Sequence, residues 1–428
     1  MVDPRTGTRP VTHLVPTPAQ LRWQQLEFGV FIHFGINTFA GKEWSDGTVP
    51  ASDFNPTELD AGSWVRTAKE AGARYLILTA KHHDGFCLWP TATTDYSVTS
   101  SPWRAGEGDV VREVADACAE QGIGLGLYLS PWDRNADCYG DPAAYDDFYV
   151  QQLTELCTGY GPLMELWFDG AGSVGREYDW DRIIAVVKEH QPHAMIFNMG
   201  QPTIRWVGNE NGLASDPVDY VVDRTSDTQY TDSSSGLHAE HYLPPECDVS
   251  IRGGWFWHPD DEPKSVEHLL AIYYQSVGMG ANLLLNLPPD TRGLIPDEDS
   301  ARLKEWKAER DRRLSGAVEA FVENHDGGAT LRFPAPVTFN HLELVEDLRS
   351  GQRITRHVVS NDGADLLDAM TVGNRRIHQL PAITASELHV KVSGDGGRLV
   401  SARVYGGALE AGVPAIPEGY EAPTDAPE

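Results

Sequence analysis

The sequence lacks the features of three classes of protein. No apolar run reaches the ~18 residues that a membrane-spanning helix needs. Lysine and arginine total 34 against 63 acidic residues, and the net charge of −29 argues against nucleic acid or an anionic membrane as a partner. No CxxC pair is present, so neither a disulfide framework nor a zinc site is expected. The five scattered cysteines are Cys87, Cys118, Cys138, Cys157 and Cys247.

The N-terminal residues contain no apolar stretch of the kind found in a signal peptide. We therefore expect a soluble, cytoplasmic protein. A mature secreted form would have the same sequence, so secretion stays open as an alternative. Nothing in the sequence predicts an oligomeric state.

Apolar strands alternate with amphipathic helices through most of the chain. Seven strands are predicted, at 28–36, 74–81, 123–130, 163–168, 194–200, 247–254 and 281–289. Strands alternating with helices of this length indicate right-handed βα units and a parallel sheet. We expect an α/β fold, a (β/α)8-like TIM barrel that closes with an irregular eighth element. The pattern of strands and helices breaks down over 201–260. A doubly wound open sheet is the alternative, but no Gly-rich phosphate loop follows the first strand.

The character of the sequence changes near residue 320. Short β-branched segments separated by Gly, Asp and Pro predict an antiparallel β-sandwich over 321–411. The Pro-, Glu- and Ala-rich residues 412–428 are expected to be disordered. The chain of 428 residues therefore divides into a catalytic barrel (1–320), a sandwich (321–411) and a tail (412–428).

Polar or aromatic side chains lie at nearly every predicted strand end. The carboxyl ends of parallel barrel strands meet at one face, and that face carries the chemistry. One ring is therefore expected to contain His33, His82, His83, Tyr128, Trp132, Asp133, Asp169, Asn198 and Asn286. The structural alternatives are a turn or helix cap for Asp169, before Gly170, and a core position for His33.

Two carboxylates in that ring would fit glycosidic bond cleavage, which needs a nucleophile or base and an acid. Asp169 is the first candidate. Glu210 is the second, because apolar residues and glycines in RWVGNENG create a setting that could raise its pKa. Glu246, beside Pro245, is the main rival. The other acids of the irregular segment are Asp216, Asp219, Asp223 and Glu240.

Metal binding is disfavoured, because adjacent side chains in an extended segment such as His82-His83 point to opposite faces. Hydrogen bonding to hydroxyl groups is the preferred interpretation of these histidines. No metal or organic cofactor is expected.

Eight motifs in the chain resemble glycoside hydrolase family 29, the α-L-fucosidases. In chain order they are FGVFIHFG, GKEWSDG, YLILTAKHHDGFCLWPT, GLYLSPWDR, ELWFDGAG, RWVGNENG, SIRGGWFWH and NLLLNLPPDTRG. KHHDGFCLWP and RWVGNE are similar to the branch that acts on α-1,3- and α-1,4-linked fucose of Lewis-type glycans. The resemblance also implies a barrel followed by a sandwich, and a fucosylated oligosaccharide as the substrate.

The resemblance implies roles for individual residues. Asp169 would be the nucleophile and Glu210 the acid/base. The expected substrate-binding residues are His33, His82 and His83, Glu43 and Trp44 of a closing loop, Tyr128 and Trp255 of the sugar pocket, and Trp132 and Asp133 on the leaving-group side. The latter two are assigned from position alone.

The expected reaction is hydrolysis with retention, through a covalent fucosyl-Asp169 intermediate. Retention would require the two carboxyl groups to lie about 5–5.5 Å apart. A transfucosylase using the same intermediate is one alternative. A non-catalytic glycan-binding protein is another, although such a protein would be expected to lack the nucleophile.

Overall fold

The computed structural model describes residues 14–225, 237 and 239–420. Within these residues, ten strands precede the C-terminal sheet: β1 Phe28–Ile32, β2 Tyr75–Lys81, β3 Gly124–Leu129, β4 Glu165–Trp167, β5 Met195–Phe197, β6 Arg205–Trp206, β7 Val221–Val222, β8 His241–Tyr242, β9 Pro245–Ser250 and β10 Asn282–Asn286. Eight of them form a parallel sheet in the order β5-β4-β3-β2-β1-β10-β9-β6, and β7 pairs with β8 separately. The predicted barrel is confirmed.

The irregular eighth element of the barrel is β6. It follows β5 without an intervening helix, because Asn198 (φ 54°) and Gly200 (φ 69°) turn the chain back at once. A bridge between Phe197 and Ile204 brings β5 beside the start of β6 and nearly closes the sheet. A strand of two residues carries no periodicity, so the position of β6 could not be predicted from the sequence pattern.

The helices are α1 Pro18–Gln24, α2 Ile36–Ala40, α3 Ala61–Ala71, α4 Val110–Gln121, α5 Pro142–Gly159, α6 Trp180–His190, α7 Val266–Gln275 and α8 Asp297–Arg313. Side-chain caps explain where α3 to α7 begin, since each cap accepts a hydrogen bond from a backbone N–H of the first turn. These caps are Asp60, Asp109, Asp141, Asp179 and Ser265. Short 3₁₀ turns lie at Ala51–Asp53, Val98–Ser100, Trp103–Gly106, Asp137–Gly140, Val277–Met279 and Leu348–Ser350.

Two apolar layers stabilise the barrel, because successive side chains of a strand face opposite sides. In β1, Val30 and Ile32 pack outward against the helices, whereas Phe31 lies in the interior with Tyr128 and Trp167. The interior layer is therefore aromatic just below the strand ends.

The C-terminal strands are β11 Ala317–Glu319, β12 Phe321–His325, β13 Gly328–Glu346, β14 Arg356–Asn361, β15 Ala364–Ala369, β16 Arg376–Ser393 and β17 Leu399–Tyr405. All of their pairings are antiparallel. The long strands β13 and β16 pass through register shifts, and the sheet encloses its own apolar core, as a sandwich does. The predicted β-sandwich is confirmed.

The C-terminal residues 412–420 lie against the barrel. Ile416 packs on the barrel core, and the ring of Tyr420 contacts the ring of His268. Residues 421–428, which belong to the tail predicted to be disordered, lie outside the described residues. None of the helices in the described part of the chain is long and apolar enough to cross a membrane.

Candidate active site

The predicted polar ring is formed at the carboxyl ends of the barrel strands. His33 follows β1, His82 and His83 follow β2, and Asp169 follows β4 within two residues. The three imidazoles form a contiguous group, with ring centroids 5.7 Å apart for His33 and His82 and 4.1 Å apart for His82 and His83. Tyr128 of β3 stacks beside His82 at 5.6 Å. Four strands therefore contribute to one cavity.

Asn286 determines which nitrogen of His33 carries the hydrogen. Its amide nitrogen donates to Ser250 Oγ (3.0 Å) and to the Trp255 carbonyl (2.8 Å), so Oδ1 is its acceptor. That oxygen lies 3.0 Å from His33 Nδ1, which must therefore donate to it. Nε2 of His33 is left as a hydrogen-bond acceptor.

His83 has the same tautomer for a different reason. The Ser130 hydroxyl donates to the Trp132 carbonyl (2.7 Å) and so accepts from His83 Nδ1, also at 2.7 Å. Nε2 of His83 is again an acceptor, 3.7 Å from Oδ2 of Asp169.

His82 has the opposite tautomer. Asn37 donates one amide hydrogen to the Glu43 carbonyl (2.9 Å) and directs the other at His82 Nδ1, 3.4 Å away. Nδ1 of His82 therefore accepts, and its Nε2 carries the hydrogen. The group offers two acceptors and one donor, a pattern suited to a ligand with several hydroxyl groups.

Burial keeps the three imidazoles neutral. It lowers the pKa of His33 to about 3 and that of His83 to about 4, and it places the pKa of His82 well below its usual value. All three are less than a tenth exposed. The cavity wall therefore presents polar but uncharged rings at neutral pH.

Asp169 is the accessible carboxylate of the ring, with its side chain 25% exposed. Tyr128 donates its hydroxyl hydrogen to Oδ2 at 3.0 Å, and the backbone N–H of Ala171 donates to Oδ1 at 2.8 Å. Burial, reinforced by the Asp169 charge, raises the pKa of Tyr128 well above its usual value, so the phenol stays a donor. A carboxylate fixed in this way, with access to the cavity, has the arrangement that a nucleophile needs.

Glu210 lies in the loop after β6 and is connected to the histidine group through Trp255. The indole N–H of Trp255 donates to Oε2 of Glu210 at 3.4 Å. The same indole packs on the His33 ring, with centroids 5.0 Å apart. Glu210 is therefore linked to the histidine group through Trp255, whereas Asp169 lies directly beside His83.

A second loop closes the cavity on the side of Glu43 and Trp44. The Glu43 carboxylate accepts from the backbone N–H groups of Trp255 (2.9 Å) and Phe256 (3.3 Å), and burial raises its pKa to about 7. Trp44 meets the His83 ring edge-on at 5.3 Å, and Trp132 lies 5.2 Å from that ring. Glu43 thus fixes the segment that carries Trp255.

Asp133 is not brought to the cavity. It is 3% exposed, its Oδ2 pairs with the buried ammonium of Lys81 at 2.8 Å, and its Oδ1 accepts from the backbone N–H groups of Asn135 and Ala136. Its carboxylate is therefore occupied inside the protein. The expectation that Asp133 contacts the leaving group is at odds with this position.

Glu246, the rival for the acid role, lies deeper in the barrel. It pairs in register with Asn282, the first residue of β10, and accepts from the Tyr75 hydroxyl (2.6 Å) and the Trp167 indole (3.1 Å). Burial raises its pKa, and it is hydrogen-bonded to Glu165, whose pKa burial also raises. This pair belongs to the barrel interior, below the strand ends.

Asp248 is a buried carboxyl group near Asp169 that was not among the residues predicted from the sequence. It is 3% exposed, and the Trp206 indole donates to its Oδ1 at 2.7 Å. Burial raises its pKa well above the usual value, and the charges of Glu246 and Asp169 add to that rise. The alternation of side chains along β9 could have identified Asp248, because Cys247 and Val249 are apolar and Asp248 must face the opposite side of the sheet from them.

Among the residues that the structure describes, no group of three or more His, Cys, Asp or Glu side chains is placed to hold a metal ion. The chemistry available to the site consists of carboxyl groups, a phenol and neutral imidazoles. These groups support proton transfer, nucleophilic attack and recognition of hydroxyl groups.

Comparison with known proteins relates the chain to one family. A family model described as α-L-fucosidase matches residues 44–308. Alpha-L-fucosidase 1 of Arabidopsis thaliana is 42% identical over 410 residues, which cover 85% of this chain and 81% of that protein.

Two solved structures share the fold over most of their length. A glycoside hydrolase 29 family member from an unknown rumen bacterium is 35% identical, with a TM-score of 0.82, covering 92% of this chain and 78% of that one. A Ruminococcus gnavus glycoside hydrolase 29 fucosidase in complex with fucose is 29% identical, with a TM-score of 0.80, covering 94% and 97%.

Proposed function

Because the chain belongs to the α-L-fucosidases of glycoside hydrolase family 29, we propose that it releases terminal α-1,3- and α-1,4-linked L-fucose from Lewis-type oligosaccharides, with retention of configuration. The linkage preference is supported by the segments KHHDGFCLWP and RWVGNE, which are similar to the α-1,3/1,4-selective branch of the family. The substrate is a fucosylated glycan.

In the first step, Asp169 attacks the anomeric carbon while Glu210 protonates the departing glycosidic oxygen. A covalent fucosyl-Asp169 ester forms, and the aglycone leaves as an alcohol. The Tyr128 hydroxyl and the Ala171 N–H orient the attacking carboxylate, since they donate to different oxygens of Asp169.

In the second step, Glu210 removes a proton from a water molecule that attacks the anomeric carbon. The Asp169 ester breaks and fucose is released with its original configuration. The sugar hydroxyls donate to Nε2 of His33 and His83 and accept from Nε2 of His82. These hydrogen bonds should strengthen as the ring flattens toward the oxocarbenium-like transition state.

One observation carries the proposal: Asp169, held by Tyr128, borders a group of three neutral histidines to which Trp255 also connects Glu210. A general acid, a nucleophile and a hydroxyl-binding wall are what fucoside hydrolysis requires. A glycan-binding protein would not need an oriented carboxylate with access to the sugar.

The test compares Asp169→Ala and Glu210→Ala with Asp116→Ala, a control on α4 whose carboxylate is 70% exposed. Free fucose would be measured from Lewis a, Lewis x, H-antigen and core-fucose substrates. The wild type and the control should act on the two Lewis substrates only, and both site variants should lose at least about 10²-fold in kcat/KM.

Azide distinguishes the two roles. It should give β-fucosyl azide with Asp169→Ala, because it replaces the nucleophile, and α-fucosyl azide with Glu210→Ala, because it intercepts the covalent intermediate. Wild-type rates in both variants would refute the assignment. Excess N-acetyllactosamine tests the transfucosylase alternative, which requires fucosylated product to exceed free fucose.

A further inference from the structure

The C-terminal segment 412–420 reaches the catalytic end of the barrel. Gly412 accepts a hydrogen bond from Arg313 at the end of α8 (2.7 Å), and Ile416 packs on the barrel core. The ring of Tyr420 then meets the His268 ring at 4.5 Å and an interplanar angle of 82°, with Lys264 Nζ 5.2 Å from its centroid.

Lys264 connects this segment to the loop that contacts Glu210. Its ammonium donates to the carbonyls of Ser250 (2.7 Å) and Arg252 (2.6 Å), where β9 ends. Three residues after Arg252, the Trp255 indole donates to Glu210. Tyr420 is therefore connected, through Lys264, to the base of the loop that contacts Glu210.

A second connection runs through α7. The loop that carries Glu210 continues to Gly212 (φ 73°), where an added Cβ would lie 2.7 Å from Val249 Cγ1 and 2.9 Å from Ile272 Cγ2. His268, which contacts Tyr420, is one helical turn before Ile272 on α7. Both the Glu210 loop and Tyr420 thus pack on the first turns of one helix.

The surroundings of Tyr420 are partly buried, since His268 is buried whereas Tyr420 and Lys264 are half-buried. Burial raises the pKa of Tyr420 to about 12, and the nearby Glu210 carboxylate adds to that rise. Burial also lowers the pKa of Lys264 to about 8 and that of His268 to about 4. The titratable groups that face Tyr420 are therefore His268, Lys264 and Glu210.

We propose that Tyr420 is a positioning residue for the acid/base group: its ring covers the outer side of the Glu210 loop and limits access of water to the Glu210 carboxyl. The inference rests on the proposed role of Glu210. Water stabilises the ionised carboxylate, so shielding favours the protonated form that must donate to the leaving group.

The ring of Tyr420 carries this role, and the hydroxyl does not. Within the described part of the chain, its buried Oη has no hydrogen-bond partner. Phenylalanine should therefore preserve the contacts with His268 and Lys264, whereas alanine removes them. Val413, in the same segment and 72% exposed, provides a control position.

The experiment measures kcat/KM of the full-length wild type, Tyr420→Ala, Tyr420→Phe and Val413→Ala on two substrates. A Lewis trisaccharide has a leaving group that needs protonation, and α-L-fucosyl fluoride has one that departs with little acid assistance. The pH dependence on the trisaccharide is recorded in parallel.

Tyr420→Ala should lose about tenfold on the trisaccharide and only about twofold on the fluoride, and its alkaline limb should move to lower pH by roughly half a unit or more. Tyr420→Phe should restore the trisaccharide rate to within about twofold, and Val413→Ala should match the wild type. Equal losses on both substrates, or none, would overturn the inference alone. A wild type inactive on both substrates would overturn the proposed function and this inference with it.

Discussion

Replacing His33 with glutamine is expected to destabilise the barrel less at pH 5.0 than at pH 7.5. Burial lowers the pKa of His33 to about 3 in the folded chain, against an unfolded value of 6.5. Below pH 6.5 His33 therefore binds a proton in the unfolded chain but remains neutral in the folded chain. The wild type loses stability as the pH falls from 6.5 toward 3, and glutamine at this position does not titrate.

The magnitude follows from the two pKa values. At pH 5.0 the pH lies 1.5 units below the unfolded pKa of 6.5. At about 1.36 kcal/mol per pH unit, protonation of the unfolded chain lowers the free energy of unfolding by about 2 kcal/mol. At pH 7.5 this reduction is close to zero. Between pH 7.5 and pH 5.0, the free energy of unfolding of the wild type should therefore fall by about 2 kcal/mol relative to that of the variant.

Tryptophan fluorescence during urea unfolding measures this difference for the barrel alone. All 12 tryptophans lie at or before Trp306, whereas the first strand of the sandwich begins at Ala317. Phe256→Leu is the matched control, because Phe256 contacts the His33 and His82 rings without titrating. Its destabilisation should be the same at both pH values.

A shift for His33→Gln that is no larger than the control's would refute the reasoning. It would mean that His33 is protonated in the folded state near pH 5. The assignment of its Nε2 as an acceptor would then fail as well.

Three further predictions concern the surroundings of the site. Tyr128→Phe should lower kcat/KM on a Lewis trisaccharide by roughly 10–100-fold, because a hydrogen bond to the charged Asp169 is worth about 1.5–3 kcal/mol; an unchanged rate would contradict that role. Asp133→Asn should destabilise the barrel by about 3–5 kcal/mol in urea unfolding, since it leaves the buried Lys81 charge without its partner. Because burial raises the pKa of Glu246 above its unfolded value of 4.5, the wild type loses stability as the pH rises from 4.5 toward the raised value, and Glu246→Gln should lose less between pH 5 and pH 8 in thermal unfolding.

Residues at the ends of the apolar strands could be predicted from the sequence. An apolar run fixes where a buried strand ends, and parallel strands bring their ends to one face. His33, His82 and Asp169 follow β1, β2 and β4, and the structure brings them together. Their participation in a common cavity required no knowledge of distant contacts.

Residues whose surroundings come from distant parts of the chain could not be assigned in this way. Asp133 has the same position after its strand as a cavity residue would, but Lys81, 52 residues earlier, pairs with it. Glu43 is bound by backbone N–H groups more than 200 residues later. Neither contact can be recognised from the local sequence, because residues that meet in the folded chain need no fixed sequence spacing.

The electrical neutrality of the cavity wall has a chemical consequence. Fucoside cleavage passes through a state in which the sugar ring carries positive charge. An imidazolium at His33, His82 or His83 would repel that charge in a buried setting where Coulomb interactions are strong. Burial prevents this by keeping all three pKa values low, and the charge of Lys81, which acts on His83, is paired with Asp133 at 2.8 Å. On the proposed mechanism, the Lys81–Asp133 ion pair thus supports the same reaction as the histidines that bind the sugar.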